Sequence, residues 1–368
     1  MMASIGMLFA ESFARESDEP NPISWRECLR RKASWYASKQ ALRVADNVLL
    51  YQRDSGGWPK NIDMARTLSE EMNAQIKSRK NRNDSGIDNS ATYTQLRFLA
   101  RVYQAAPQPR FRRVFEKGLD YLFAAQYPHG GWPQFYPHPR GYSRYVTFND
   151  NAMIGVMRCL RDIVQKKEPF GFVDDPRRQK AEKAIQKGIE CILKCQVIHN
   201  GRRLAWCAQH DDVTLKPRPA RSYEKISLSG SESVGIVEFL MEIEKPSPLV
   251  IEAVQSAVAW FAQVQLNDIK IVRKNDPDAP RGYDKIVVPS PGAPPLWARF
   301  YQIETNRPIF CSRDGIIRYN LSEISYERRN GYSWYTGRPR ELIEKKYPPW
   351  RKKFAPPENV LDKSYSPS

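Results

Sequence analysis

A short glycine-tryptophan-proline loop occurs twice in this chain, each time ahead of an Asp-Asn pair. Gly56-Gly57-Trp58-Pro59-Lys60 precedes Asp88-Asn89, and Gly130-Gly131-Trp132-Pro133-Gln134 precedes Asp150-Asn151. The loops lie 74 residues apart (56 to 130) and the pairs 62 apart (88 to 150). Gly-Gly ends a helix, proline forbids its continuation, and Asp or Asn is preferred where a helix starts. The repeat therefore predicts helical hairpins packed about a common axis, each leaving through such a loop and re-entering at a capped helix start.

The apolar spacing agrees with that frame. From Trp25 to about Tyr51 the residues Ala33, Tyr36, Leu42, Val44, Val48 and Leu49 recur at mixed three- and four-residue steps. Residues 61–87 are polar and read as a long surface loop. Asp88 opens a helix with Tyr93, Leu96, Leu99 and Tyr103 on one face, and Phe111 to Gln126 is its partner. Asn149 opens the next, with Met153, Val156, Met157 and Leu160, followed by Ala181 to Cys195. A third opening, Ser229-Gly230-Ser231-Glu232, fits a capping box, and Pro248 to Val264 is its partner. Residues 265–300 read as loop, and a short helix is expected near Leu321 to Tyr326. The expected fold is all-α: an α/α toroid of about three helical hairpins, with long loops forming a cleft at the capped helix starts. Residues 25–350 form the single domain, between a lead at 1–24 and a tail at 351–368.

Charge narrows the partner. The 368 residues carry a net charge of +17, which gathers an anionic partner and speeds its capture; charge alone does not choose among nucleic acid, anionic lipid and acidic polysaccharide. No zinc-finger, RNP or homeodomain pattern accompanies the basic residues, so nucleic acid is not expected. No run approaches ~18 apolar residues, so no membrane span is expected. The six cysteines, Cys28, Cys159, Cys191, Cys195, Cys207 and Cys311, are too sparse for a disulfide scaffold and read first as buried thiols. The apolar run Ile5-Gly6-Met7-Leu8-Phe9-Ala10 has no basic residue before it. It gives no clear secretion signal, although a secreted or periplasmic monomer is expected.

Two carboxylates from two helix entries can converge on one cleft. Each Asp-Asn pair alone is explained by helix capping; their repetition behind similar loops also suits cation binding. Oxygen ligands without clustered His or Cys point to Ca2+ or Mg2+. The Gly-Gly-Trp-Pro loops read first as hairpin closures, and alternatively Trp58 and Trp132 line sugar subsites. Arginines among aromatics and turns, at Arg218, Arg221, Arg299, Arg307 and Arg313, have the planar fork that matches carboxylates. Arg221 lies just ahead of the third helix start and so should reach the same cleft. No nucleophile elbow, P-loop or dinucleotide fingerprint occurs.

With these stretches, and with Ser312-Arg313-Asp314-Gly315 and Glu327-Arg328-Arg329-Asn330-Gly331-Tyr332-Ser333-Trp334-Tyr335, the chain resembles the family ten polysaccharide lyases, which are pectate lyases. The resemblance covers roughly residues 25–350. It implies an α/α toroid and calcium-dependent anti β-elimination of α-1,4-polygalacturonate, giving 4,5-unsaturated products. It further implies Asp88 and Asp150 at the Ca2+ and substrate site with Asn89 beside them. Arg221 would be the Brønsted base, with Arg299 and Arg313 binding substrate carboxylates. Ser90 stands where glycine is expected in many relatives. In such a reaction the C5 proton, α to a carboxylate, is removed and the 4-O bond leaves. An arginine base needs a dry site and neighbouring positive charge to disfavour its guanidinium. The alternatives are an inverting hydrolase with two carboxylates and a non-catalytic binder of acidic polysaccharide.

Overall fold

The computed structural model describes residues 22–357 and 359–362; the apolar run at Ile5–Ala10 lies outside them. Among the described residues seven principal helices follow one another: α1 Lys39–Tyr51, α2 Tyr93–Ala105, α3 Pro109–Ala125, α4 Ala152–Val164, α5 Asp175–Cys195, α6 Glu232–Met241 and α7 Pro248–Gln263. Their starts have local causes. Ser38, Asp174 and Ser247 each accept a backbone N–H from the first turn of α1, α5 and α7, and Pro176 and Pro248 sit at the starts of α5 and α7.

Helices pair as α2/α3, α4/α5 and α6/α7, the three expected hairpins. Successive hairpins touch along two lines, α1–α2–α4–α6 and α1–α3–α5–α7. A main core runs through all of them, from Val44 and Leu96 to Val258 and Trp297. A second, smaller aromatic core gathers Tyr223, Phe300, Phe310, Leu321 and Trp334, with Tyr332 packed against it.

The chain departs from the expected elements in four places. The helix expected from Trp25 to Tyr51 is three pieces: Trp25–Cys28, a 3-10 turn Ala33–Ala37, and α1. Ser38, whose side chain accepts from Ala41 N–H, starts α1 afresh, so the expected helix cannot run through it. The stretch 61–87 contains the helix Glu70–Lys77 behind the cap Ser69. The stretch 265–300 contains an antiparallel hairpin, β1 Ile269–Asn275 and β2 Tyr283–Pro289, with Ile269 opposite Pro289. Its prolines end the strands instead of excluding them. Helix Tyr347–Phe354 runs past the expected boundary at 350, and Val360 joins the main core. No large sheet occurs among the described residues; the widest has three strands of two residues.

One device recurs through the helical body. Trp58 Nε1 donates to Val48 O of α1 at 2.7 Å, Trp132 to Leu122 O of α3 at 2.8 Å, Trp206 to Ile192 O of α5 at 2.8 Å, and Trp297 to Phe261 O of α7 at 2.8 Å. All four indoles are fully buried. The residue ending each of the first three of these helices is a glutamine. Gln52 donates to Gly56 O and Val114 O, Gln126 to Gly130 O and Ala184 O, and Gln196 to Leu204 O and Ala253 O, at 2.8–3.0 Å. Each glutamine therefore ties its own loop to the next helix of the same line. Gly56 and Gly130 share φ +98, and a Cβ there would meet the carbonyl oxygens of Lys117 and Lys187 at 2.5 and 2.0 Å. Glycine is needed at both, for conformation and for closeness.

This accounts for Trp58 and Trp132 and corrects one expectation. Both are 0% exposed, so neither can present a face to a sugar ring. Replacing Trp132 by Ala is expected to destabilise the fold by about 3–5 kcal/mol. Gln126→Ala, which leaves two loop-and-helix carbonyls without their donor, is expected to cost about 1–3 kcal/mol. Urea unfolding of both variants checks the values; a Trp132→Ala protein as stable as wild type would refute the anchoring role.

Candidate active site

The residue two beyond each anchoring tryptophan occupies an equivalent place: Lys60, Gln134, Ala208 and Arg299. Gly86, Thr147 and Ser229 donate their N–H to the carbonyls of Trp58, Trp132 and Trp206 at 2.8–3.1 Å. The next residues, Ile87, Phe148 and Gly230, donate to the carbonyls of Gln134, Ala208 and Arg299 at 2.9–3.1 Å. Each segment leading into an inner helix is thus stitched between two successive tryptophan loops.

That stitching fixes a register that the letters of the sequence conceal. Asp88-Asn89-Ser90 matches Asn149-Asp150-Asn151, so the two Asp-Asn pairs are offset by one residue. Backbone angles agree: Asn89 and Asp150 have φ +48 and +50, and Ser90 and Asn151 have φ +67 and +57. Burial agrees as well, since Asp88 and Asn149 are buried while Asn89 and Asp150 are exposed. Asn and Asp tolerate the left-handed region better than other side chains. Neither Asp caps a helix through its side chain. The third opening keeps only part of the expected capping box. Ser229 Oγ accepts from Glu232 N at 3.1 Å and donates to the Glu232 carboxylate, but Ser231 is the residue before the helix.

The two turns, Asp88–Ser90 and Asn149–Asn151, pack against each other. Asp88 is 3% exposed and forms an ion pair with Lys60, while its Oδ1 is buried without a hydrogen-bond partner. Asn89 Nδ2 donates to Asn61 Oδ1 at 2.8 Å. Asp150 lies more open: Oδ2 accepts from Asn149 Nδ2 at 2.8 Å and Oδ1 from Arg299 Nη2 at 3.2 Å. Arg299 Nη2 also reaches Glu232 Oε1 at 2.6 Å and Asn149 Oδ1 at 3.2 Å. Burial disfavours the Arg299 charge, but Glu232, Tyr332 and Asp150 outweigh it and hold the guanidinium charged. Arg299, expected to take a substrate carboxylate, is 9% exposed and already engaged by two protein carboxylates. Its observed work is to hold Asp150.

A second group of cations faces two tyrosines. The Arg221, Arg313 and Arg328 guanidiniums lie 4.8, 5.7 and 4.5 Å from the Tyr223 ring. Arg299 and Arg221 lie 4.8 and 5.8 Å from the Tyr332 ring, which meets Tyr223 edge-on at 5.5 Å. Such contacts let several like charges share a small volume. Arg313 and Arg328 share Glu327 as counter-charge. Arg221 is held by Glu224, whose anion lifts the guanidinium's pKa further above its usual value. The dry site and neighbouring positive charge expected around an arginine base are met only in part: Arg313 and Arg328 share the Tyr223 ring with Arg221, but the Arg221 side chain is 43% exposed and the buried Glu224 carboxylate contacts it directly. Arg218 and Arg307 stand elsewhere, the former paired with Asp211 and the latter 3.8 Å over Tyr319.

Lys60, Glu224, Glu232, Arg328, Tyr223 and Tyr332 were not singled out as site residues from the sequence, although several fall within the quoted motifs. The signal for Lys60 was the place directly after Gly-Gly-Trp-Pro. Tyr332 lies 108 residues from Glu224, and no local pattern connects them. Among the described residues no three His, Cys, Asp or Glu side chains cluster as a metal site, and all six cysteines are free and buried.

A pectic acid lyase family model matches residues 52–343. A solved family 10 polysaccharide lyase from Cellvibrio cellulosa is 35% identical, with a TM-score of 0.72, covering 87% of this chain and 94% of that one. An aspartate-to-alanine mutant of a family 10 polysaccharide lyase from Cellvibrio cellulosa, in complex with trigalacturonic acid, is also 35% identical. Its TM-score is 0.74, and the match covers 88% of this chain and 96% of that one. No curated protein sequence matches the chain. The chain belongs to the pectic acid lyase family and is a polysaccharide lyase.

Proposed function

We propose that this lyase cleaves α-1,4-polygalacturonate by calcium-dependent anti β-elimination, releasing 4,5-unsaturated oligogalacturonates. The observation that supports the reading is that the two left-handed turns carrying Asp88 and Asp150 pack against each other in a pectic acid lyase. A related enzyme bound to trigalacturonic acid supports the substrate class, and the net charge of +17 suits an unesterified polyanion. An α/α toroid is the architecture that goes with it, and the two unbroken lines of helix contacts support that shape. A polymer of this size stays outside the cell, so the enzyme is taken to act there, secreted or periplasmic, as a monomer.

The residues present suit a hard cation. The donors are carboxylate oxygens, and the unpartnered Asp88 Oδ1 is a lone pair awaiting a ligand. Asp88 and Asp150 would hold Ca2+, which supplies positive charge to a substrate carboxylate and to the negative charge developing beside it. Lys60 neutralises Asp88 in the free protein and would turn to the substrate once displaced. Asn89, exposed beside it, can bond sugar hydroxyls. Arg313, 65% exposed at its side chain, would receive a uronate carboxylate, while Arg299 holds Asp150. Arg221 would accept the C5 proton. Because Glu224 raises its pKa, the neutral guanidine gains population only as pH rises, so turnover should climb toward alkaline pH.

The decisive assay follows absorbance of the unsaturated product from polygalacturonate near pH 9. Absorbance should rise with Ca2+ and stop with a chelator; new reducing ends without absorbance would indicate a hydrolase. Asp150→Ala should lower kcat/KM by about 10²-fold or more. Lys60→Met, which removes the competing ammonium from Asp88, should raise Ca2+ affinity of the substrate-free protein severalfold by calorimetry. Unchanged affinity would place the cation away from Asp88.

A further inference from the structure

We propose that Glu224 is the positioning residue for Arg221: with Tyr332 holding it in place, it grips one edge of the guanidinium and leaves the opposite nitrogen for the substrate. The inference rests on the reading of Arg221 as the base.

The geometry is a closed set of contacts. Glu224 Oε2 accepts from Arg221 Nε at 2.8 Å and from the Arg221 backbone N–H at 3.2 Å. Glu224 Oε1 accepts from Arg221 Nη2 and from the Tyr332 hydroxyl, the latter at 2.7 Å. Among the described residues Arg221 Nη1 is the nitrogen of that side chain with no protein partner. The loop is closed locally by Glu224 N donating to Arg221 O at 2.8 Å and Ala220 N donating to Glu224 O at 3.0 Å. Tyr332 is itself fixed, packed on Trp334 at 5.0 Å and stacked with Phe300 at 6.3 Å.

Burial separates this pair from surface decoration. An exposed Arg–Glu pair three residues apart contributes little, but here the carboxylate side chain is 7% exposed while its arginine is 43% exposed. A buried anion spends both oxygens on one half-exposed guanidinium and one phenol. Its effect is to remove the rotamer freedom of a long side chain, which is what a proton-abstracting group requires. Burial pushes the Glu224 carboxyl up, and the bonds from Arg221 and Tyr332 more than offset it, so it stays ionised.

The same contact sets the pH response. The charged or titratable groups facing Arg221 are Glu224, the phenols of Tyr223 and Tyr332, Arg328 and Arg313 across Tyr223, and Arg299 across Tyr332. Glu224 is the anion in direct contact and holds the guanidinium protonated. Removing its charge lets the proton leave at lower pH.

The test is a set of kcat, KM and pH–rate measurements on Arg221→Ala, Glu224→Gln, Glu224→Asp and Tyr332→Phe. Arg221→Ala should abolish turnover. Glu224→Gln should lower kcat by about 10- to 100-fold with KM within about twofold, because misplacement of a reacting group has that scale. Its rising alkaline limb should shift to lower pH. Glu224→Asp retains the charge but shortens the reach, so kcat should fall while the limb stays in place. Tyr332→Phe should lower kcat severalfold at constant KM, and it keeps the proposal testable should the Glu224 variants not fold. Wild-type kcat and pH profile in Glu224→Gln, with Arg221→Ala inactive, would overturn this inference alone. Activity retained in Arg221→Ala would overturn the base assignment and this inference with it.

Discussion

The buried indole N–H that reaches back to a helix carbonyl is the contact on which this structure depends. It occurs after α1, α3, α5 and α7, at Trp58, Trp132, Trp206 and Trp297. A buried indole donor without an acceptor is costly, so each tryptophan has one place to go. Once it is seated, the residue two positions on is seated too, and its carbonyl becomes the acceptor for the segment entering an inner helix. The glutamines at the preceding helix ends bind each unit to the next. Position in the site is thus inherited from the core.

From that framework follows a site in which opposite charges are already matched. Asp88 faces Lys60, Asp150 faces Arg299, Arg221 faces Glu224, and Arg313 and Arg328 share Glu327. Two of these cations, Lys60 and Arg299, hold equivalent places two beyond a tryptophan. A free protein carrying +17 could not assemble so many guanidiniums beside two tyrosines without these carboxylates. On the proposed function, an anionic substrate and a cation arriving together would exchange partners with these pairs while little net charge is uncovered. The smaller aromatic core carries the arginines and the helix entries carry the aspartates, so the candidate site residues come from two differently built parts of one chain.

Much of this was readable from residues alone. Hairpin number, the Gly-Gly-Trp-Pro loops and the candidates Asp88 and Asp150 came from spacing and residue chemistry, whereas Arg221 as the base came mainly from the family resemblance. The one-residue offset between the Asp-Asn pairs did not, because identical letters recur while the matching backbone angles fall on Asn89 and Asp150. The third and fourth units were hidden for a similar reason. They keep the tryptophan but lack the proline after it and the Gly-Gly pair, which serves close helix approach in the first two. Assignment of Trp58 and Trp132 to sugar contact failed because burial is decided by the neighbouring helix, not by residue type. Glu224 and Tyr332 were beyond reach, since their contact spans 108 residues.

On the proposed function, the paired turns and the arginine group bind a uronate together with Ca2+. Calorimetric titration of trigalacturonate into Arg221→Ala protein, with and without Ca2+, addresses it without turnover. The expected result is binding that requires Ca2+ and is lost when Asp150 is also replaced by Ala. Equal binding in a chelator, or binding indifferent to Asp150, would contradict it.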